Sequence, residues 1–177
     1  MRPAEQHISD YITGRRVPDR GAEANRQAVE RFLVEARGFD KTDIAVNVAL
    51  RLQIAGRPYG AYVDLVVHIG GRRIMAVKCA AGSLGSRERE IVSAARLLDA
   101  YILPFAMVSD GKTAILLDSL SGRPVAQGLA GIPSKARFQA MLKDLRFEPL
   151  AEERRQKEKL IFRSYDSMNV NVARPIL

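Results

Sequence analysis

The sequence is poor in the residues that form covalent cross-links and metal clusters. Its 177 residues include one cysteine, Cys79, and two histidines, His7 and His68, which lie far apart in the chain. A single cysteine excludes an internal disulfide and a cysteine-based zinc site, and the two histidines form no metal-binding signature. The fold that we predict must therefore form without a disulfide or a zinc cluster.

Long apolar segments are also missing. No run is long enough to span a bilayer, and the first residues, MRPAEQHISD, are polar, unlike a signal peptide. We therefore expect a cytoplasmic protein that makes no membrane contact. A composition of 47% hydrophobic and 27% charged residues is typical of a globular protein.

Acidic residues are fewer than basic ones. The 28 lysines and arginines exceed the 20 aspartates and glutamates, which gives a net charge of +8. An excess of positive charge favours a polyanionic partner, and we expect DNA. Charge is only a weak guide, and the alternative is a soluble basic protein that binds nothing specific.

Helical and strand periods alternate along the chain. AEANRQAVERFLVEARGF predicts a helix that ends at Gly38, and SREREIVSAARLLDAY predicts a second helix with Ser86 as its N-cap. DIAVNVALRLQIAG alternates as a half-buried strand, and AYVDLVVHIGGRRIMAVKCA predicts a hairpin around Gly70–Gly71. ILPFAMVS and KTAILLDSL predict two further strands around the turn at Asp110–Gly111. This order predicts an α/β fold with a mixed β-sheet flanked by helices, the arrangement of a restriction-endonuclease-like core.

Composition divides the chain into four segments. Residues 1–20 are a polar N-terminal extension with a weak signal for a short helix, and residues 21–120 are the predicted core. Residues 121–148 are a Gly/Pro-rich connection followed by a short helix, KARFQAMLKDL. Residues 149–177 hold a charged C-terminal helix, EERRQKEKLIFRSYDSM, and a tail, NVNVARPIL. This helix is the candidate surface for a second copy of the chain or a protein partner.

One lysine interrupts an apolar strand. In IMAVKCAAGS, Lys78 lies within a buried run, where an uncompensated charge costs free energy. Strand alternation places Ala76, Lys78 and Ala80 on one face. Asp64, at the predicted start of the strand DLVVHI, lies across the hairpin and is the candidate partner of Lys78.

These segments together resemble a known family. Residues 8–120 are similar to the N-terminal nuclease domain of type I restriction enzyme R subunits, a branch of the PD-(D/E)XK nuclease superfamily. The first helix matches the family's opening at Glu23, Arg26, Gln27, Gly38 and Phe39. The resemblance implies an Asp strand, here Asp64, followed by a strand with an acid-x-Lys motif. In such enzymes the carboxylates bind Mg²⁺, which activates a water molecule for phosphodiester cleavage. The sequence contains no helicase, methyltransferase or Walker motif.

The motif itself is incomplete. If VKCAAGS is aligned with the family's Val-Glu-Cys-Lys-Ala-Pro-Ser, Lys78 stands at the acid position and Ala80 at the lysine position. If Lys78 is the motif lysine, Ala76 stands at the acid position. Both alignments remove the strand carboxylate. Ser93 takes the place of a glutamine that often faces the family's site, and Glu88 and Glu90 are either first-turn acids or relocated carboxylates.

The resemblance therefore implies a set of candidate site residues. Asp64, Lys78 and Glu23 are the catalytic candidates, and Asp64 and Glu23 are the candidate Mg²⁺ ligands. The candidate nucleic-acid contacts are Arg26, Arg87, Arg89 and Lys112. We expect a nucleic-acid-binding domain with weak or absent catalysis; the alternatives are an active Mg²⁺-dependent endodeoxyribonuclease with a relocated acid, and a protein-interaction domain on an inherited fold.

Overall fold

The computed structural model describes residues 6–168. The four α-helices in this range are α1 (Glu23–Arg31), α2 (Glu88–Leu97), α3 (Lys135–Leu142) and α4 (Glu152–Asp166). The strands are β1 (His7–Ser9), β2 (Arg16–Pro18), β3 (Ile44–Ile54), β4 (Arg57–Ile69), β5 (Arg72–Cys79), β6 (Phe105–Ser109), β7 (Ala114–Asp118) and β8 (Pro124–Gln127). The predicted tail at residues 169–177 lies outside the described residues.

Six strands form one mixed sheet in the order β3-β4-β5-β6-β7-β8. Every neighbouring pair is antiparallel except β5 and β6, which are parallel. A parallel pair needs a crossover connection, and α2 supplies it. The predicted mixed sheet and the hairpin at Gly70–Gly71 are therefore both confirmed, and both glycines adopt the positive φ that this turn requires.

Helices cover both faces of the sheet. Val29 and Leu33, from α1 and the turn that follows it, and Phe138 of α3 pack with one set of sheet residues. Leu97 of α2 and Phe162 of α4 pack with the other set. The result is a three-layer α/β domain consistent with a restriction-endonuclease-like fold. None of the helices between residues 6 and 168 combines the length and apolar character that a membrane span requires.

Side chains along β3 and β4 alternate between the two faces of the sheet, but this alternation is interrupted in the middle of both strands. Val46 and Leu65 pack on the side of α1, whereas Val48 and Val63 pack on the side of α2. The change occurs between these two residue pairs, where Asn47 has a left-handed φ of 51°. Asp64 lies at this irregularity. The prediction that Asp64 starts its strand is therefore wrong, because β4 begins seven residues earlier at Arg57.

Three local predictions differ from the structure. Residues 1–20 contain the β1–β2 hairpin where we expected a short helix, and β8 forms inside the predicted connection. The helix α2 starts at Glu88, since Ser86 lies in a preceding 3₁₀ turn and its hydroxyl donates to the carbonyl of Ser83 (2.9 Å). Ser86 is therefore not the N-cap of α2.

The predicted C-terminal helix, α4, packs on its own domain. Phe162 is buried against α2 and the sheet. Arg155 donates to the carbonyls of Leu97 (3.0 Å) and Asp99 (3.3 Å) at the end of α2. The hydroxyl of Tyr59 donates to the carboxylate of Asp166 at the other end of α4.

Candidate functional site

Asp64 and Lys78 meet on neighbouring antiparallel strands. The regular pairing of β4 with β5 extends to the residue pair Leu65 and Val77. The next residues along the two strands, Asp64 and Lys78, therefore lie opposite each other. The backbone N–H of Cys79 donates to Oδ2 of Asp64 at 2.7 Å. The Asp64 side chain thereby takes the place of a backbone acceptor at the end of the ladder, which fixes the carboxylate beside Lys78.

A second carboxylate reaches Lys78 from α2. Nζ of Lys78 lies 3.2 Å from Oε1 of Glu90, and the two side chains are only 15% and 5% exposed. Oε2 of Glu90 lies 3.4 Å from Arg87, one turn earlier. The charge of the lysine in the apolar strand is therefore compensated by the charges of Asp64 and Glu90.

The pKa values in this site reflect its burial. Burial alone would lower the pKa of Lys78, but the charges of Asp64 and Glu90 raise it above its ordinary value, so the ammonium form is favoured. Burial raises the pKa of Asp64, and the charge of Lys78 and the Cys79 N–H offset this only in part. Burial, followed by the charge of Asp64, holds the pKa of the Cys79 thiol well above its usual value. Cys79 is therefore a protonated core thiol and not a nucleophile.

Glu23 belongs to a neighbouring cluster on α1. We call the set Asp10, Glu23, Arg26 and Glu30 the Arg26 cluster. Arg26 pairs with Asp10 (2.9 Å), Glu30 (3.1 Å) and Glu23. Gln27 donates to Glu23 (2.8 Å) and accepts the Tyr11 N–H (2.6 Å). The charge of Arg26 also acts on Asp64 and slightly opposes the rise of its pKa.

The Arg26 cluster holds three carboxylates around one guanidinium. Glu30 is fully buried. Burial raises its pKa to about 7, the charge of Asp10 adds to the rise, and Arg26 opposes it. Sequence reasoning missed Asp10 and Glu30. The spacing of Glu23, Arg26 and Glu30 on one helix face was the available signal for the second of them.

A cluster of opposite composition lies on the other side of the sheet. We call the set Arg89, Ser93, Arg96 and Glu158 the Glu158 cluster. Glu158 of α4 accepts from Arg96 (2.6 Å), Ser93 (2.8 Å) and Arg89 (3.1 Å). Burial opposes ionisation of Glu158, but the Ser93 hydrogen bond and the Arg96 charge outweigh it and lower the pKa. Ser93, expected at the position facing the site, thus binds α4 instead.

The carboxyl ends of the parallel strands β5 and β6 lie side by side next to Lys78. Asn25 of α1 donates to the carbonyl of Ala80, directly after β5 (2.7 Å). The turn after β6 packs on α1 so closely that a Cβ at Gly111, where φ is +84°, would lie 2.5 Å from that of Ala28. Lys112 is exposed on this turn. Ligands of α/β sheets bind at such carboxyl ends, so this edge is the candidate cleft.

The structure distributes the predicted site residues over four places. Asp64 and Lys78 lie together, while Glu23 and Arg26 form the neighbouring buried cluster. Arg87 pairs with Glu90, Arg89 with Glu158, and Lys112 is exposed. Glu90, for which a first-turn role and a relocated carboxylate were the two interpretations, is the acid that contacts Lys78. Glu158 gave no sequence signal, because its partners lie 62 to 69 residues away.

The comparisons with known proteins agree with the fold and the site strands. Residues 21–133 match the family described as "Type I restriction enzyme R protein N terminus (HSDR_N)". The match begins just before α1, includes the whole six-stranded sheet, and ends before α3 and α4. No curated protein and no solved structure gives a significant match. Because the matched region covers well over half of the chain, this chain belongs to the family of type I restriction enzyme R protein N-terminal domains.

Proposed function

We propose that this chain is a nucleic-acid-binding domain built on the restriction-endonuclease-like scaffold, with weak or absent catalysis. Membership of a restriction-enzyme family and a net charge of +8 support DNA as the partner. One observation carries the second half of the proposal. The ammonium of Lys78 pairs with Glu90 at 3.2 Å, and the charge of Asp64, opposite Lys78 on the neighbouring strand, also acts on it.

The residues present do not fit a Mg²⁺ ion while Lys78 keeps this position. Mg²⁺ requires oxygen ligands in near-octahedral geometry. Within residues 6–168, no group of three histidine, cysteine, aspartate or glutamate side chains is arranged to hold a metal ion. Oδ2 of Asp64 accepts the Cys79 N–H, and the oxygens of Glu90 face Lys78 and Arg87. The positive charge of Lys78 replaces the charge that a metal ion would bring.

The position of Lys78 along β5 supports one alignment of the degenerate acid-x-Lys motif. Lys78 lies opposite Asp64, whereas Ala76 is paired with Val66 inside the core on the side of α2. We therefore favour the alignment in which Lys78 takes the place of the acid and Ala80, which is buried on the same side, the place of the lysine. On this account Lys78→Glu combined with Ala80→Lys rebuilds the motif. Ala76→Glu instead buries a carboxylate in the core and destabilises the domain.

Binding is tested by fluorescence anisotropy with a labelled DNA duplex at increasing salt. We expect the logarithm of the binding constant to fall linearly with the logarithm of salt concentration, because phosphate contacts release counterions. Addition of EDTA should leave the affinity unchanged, since no metal ion takes part. Failure to retain DNA or RNA even at low salt would overturn the proposal and leave the protein-interaction domain.

A second function, Mg²⁺-dependent DNA cleavage, has one observation in its favour. Glu90 is a buried acid on α2 that reaches the same lysine as Asp64, as a relocated carboxylate would. Glu88 is partly exposed and makes no such contact in the described structure. If the protein cleaves DNA, Glu90→Gln and Asp64→Asn should each abolish the cleavage. Glu88→Gln is the matched control in the same helical turn and should leave it intact.

A further inference from the structure

A basic groove lies where α4 crosses α2. It has a volume of about 430 Å³ and runs between these two helices and the turn that joins β7 to β8. The groove is lined by Arg89, Arg96, Ser121, Gly122, Arg154, Lys157, Glu158 and Ile161. Because α4 lies outside the matched residues 21–133, the groove is formed by an element that this chain adds to the family domain.

Positive charge exceeds negative charge in this groove. Four cationic side chains line it, and Glu158 is its one carboxylate. That carboxylate is already occupied, because Oε1 accepts from Arg96 and Arg89 and Oε2 accepts from Ser93. Arg154 and Lys157 therefore bring positive charge that Glu158 does not neutralise.

These two side chains are available to a ligand. Arg154 is exposed and makes no hydrogen bond or ion pair with any residue between 6 and 168. Lys157 pairs with Glu153 at 3.1 Å, but both side chains are largely exposed (71% and 86%), and such pairs contribute little. Burial lowers the pKa of Arg96, and the charges of Arg89 and Arg154 lower it further, although Glu158 opposes them. The arginines thus repel one another, and a bound anion would relieve that repulsion.

We propose that this groove binds phosphate groups of the DNA backbone. Arginine presents a planar fork of donors that matches phosphate oxygens, and the Ser121 hydroxyl lies in the same groove. The lining contains one apolar side chain, Ile161, whereas a protein interface has an apolar centre. The inference rests on the proposed function and adds to it the surface that holds the backbone.

The groove adjoins the Lys78 site through one turn of α2. Glu90 contacts Lys78 and Arg87, while Arg89 and Ser93 contact Glu158 in the groove. Arg89 and Glu90 are consecutive residues. The groove and the Lys78 site are therefore connected by consecutive residues at the start of α2.

The test compares two double variants by anisotropy with a DNA duplex. Arg154→Ala with Lys157→Ala removes two charges from the groove. Arg137→Ala with Lys143→Ala removes two exposed charges from α3 and its C-cap, on the opposite side of the sheet, and is the matched control. We expect the groove variant to bind at least about tenfold more weakly and its salt dependence to lose about two phosphate contacts, with the control within about twofold of wild type.

The outcomes separate this inference from the proposed function. If wild-type protein binds DNA and the groove variant binds as tightly as the control, the groove is not the backbone site, although DNA binding stands. If wild-type protein binds no DNA, both fall. Polyglutamate serves as an acidic polypeptide probe. If polyglutamate binds more tightly than the duplex and only the groove variant loses it, the groove takes an acidic polypeptide and the assignment to DNA is overturned.

Discussion

The two faces of the sheet carry charged clusters of opposite composition. In the Arg26 cluster three carboxylates surround one guanidinium, and in the Glu158 cluster two guanidiniums and a hydroxyl surround one carboxylate. The consequences for the acids are opposite, since the pKa of Glu30 is raised to about 7 while that of Glu158 is lowered. The Lys78 site contains two carboxylates, Asp64 and Glu90, and two cations, Lys78 and Arg87.

The difference between the two clusters shows how an excess of charge acts in each of them. In the Arg26 cluster the surplus is negative and buried, so it costs free energy and makes stability depend on pH. In the Glu158 cluster the surplus is positive and continues into an exposed groove, where Arg154 and Lys157 can meet an anion. The first cluster is therefore a structural element of α1, and the second adjoins a candidate binding surface.

The largest effect is expected from removing the one cation of the Arg26 cluster. Arg26→Met leaves three carboxylates without their counter-charge in a site where the arginine side chain is 5% exposed. We expect the free energy of unfolding, measured with urea, to fall by about 3–5 kcal/mol, as for other broken buried pairs. Arg31→Ala, which removes a 57% exposed partner of Glu35, is the control and should cost less than about 0.5 kcal/mol. Equal effects of the two substitutions would contradict the account.

The second largest effect is expected in the pH dependence of the free energy of unfolding. The pKa of Glu30 is raised to about 7 in the folded protein. An acid with a raised folded pKa is protonated in the folded state while the unfolded state ionises. Its contribution to stability therefore falls as pH rises from its unfolded pKa to about 7, and then levels off. Glu30→Gln removes this dependence.

The measurement is the free energy of unfolding of both proteins at pH 5 and pH 8. We expect the stability of Glu30→Gln relative to wild type to increase by about 2–3 kcal/mol between these two values. A constant difference across this range would mean that Glu30 is ionised throughout and that Arg26 fully compensates it.

The opposite cluster should respond to loss of its single carboxylate. Glu158→Gln keeps the shape of the side chain but leaves the buried guanidinium of Arg96 without a charged partner. We expect a loss of about 2 kcal/mol, less than for Arg26→Met, because Arg96 retains its bonds to the carbonyls of Ser119 and Leu120. Glu153→Gln, at an exposed position on the same helix, should leave stability unchanged within about 0.5 kcal/mol.

The last effect is a change in metal binding and is expected at Lys78. Lys78→Met removes the cation that compensates Asp64 and Glu90 and leaves two carboxylates that a metal ion can compensate. We expect Mn²⁺, measured by isothermal titration calorimetry, to bind this variant at least about tenfold more tightly than wild type. Adding Glu90→Gln to Lys78→Met should cancel the gain. Tight Mn²⁺ binding by wild-type protein would contradict the claim that Lys78 replaces the metal charge.

Local signals in the sequence predicted the centre of the fold well. The hairpin at Gly70–Gly71 and the crossover helix α2 follow from strand alternation and helical period, and both are confirmed. The short strands β1, β2 and β8 gave no such signal, because three or four residues are too few to define a period. Asp64 was misplaced within its strand because Pro58 and Gly60, which precede it, are typical of turns, although this segment pairs with β3.

The candidate site was predicted only in part, because local signals connect only residues on elements that are close in the chain. Asp64 and Lys78 are linked by one hairpin, so strand parity was sufficient to bring them together. Glu90 approaches Lys78 from a different element, and Glu158 approaches α2 from the far end of the chain. Contacts of this kind depend on tertiary packing and have no local pattern. Only the family resemblance identified Glu23, and the structure places it against Arg26.

The most direct test of the central claim combines retention and cleavage of one supercoiled plasmid. Wild-type protein is incubated with the plasmid in Mg²⁺ or Mn²⁺ at a concentration that retards the DNA in a gel, and the DNA is then freed of protein and analysed again. The account predicts DNA that is retarded while protein is bound and remains supercoiled afterwards. Nicked or linear DNA that disappears with Asp64→Asn and with Glu90→Gln would contradict it and would establish a metal-dependent nuclease with a relocated acid.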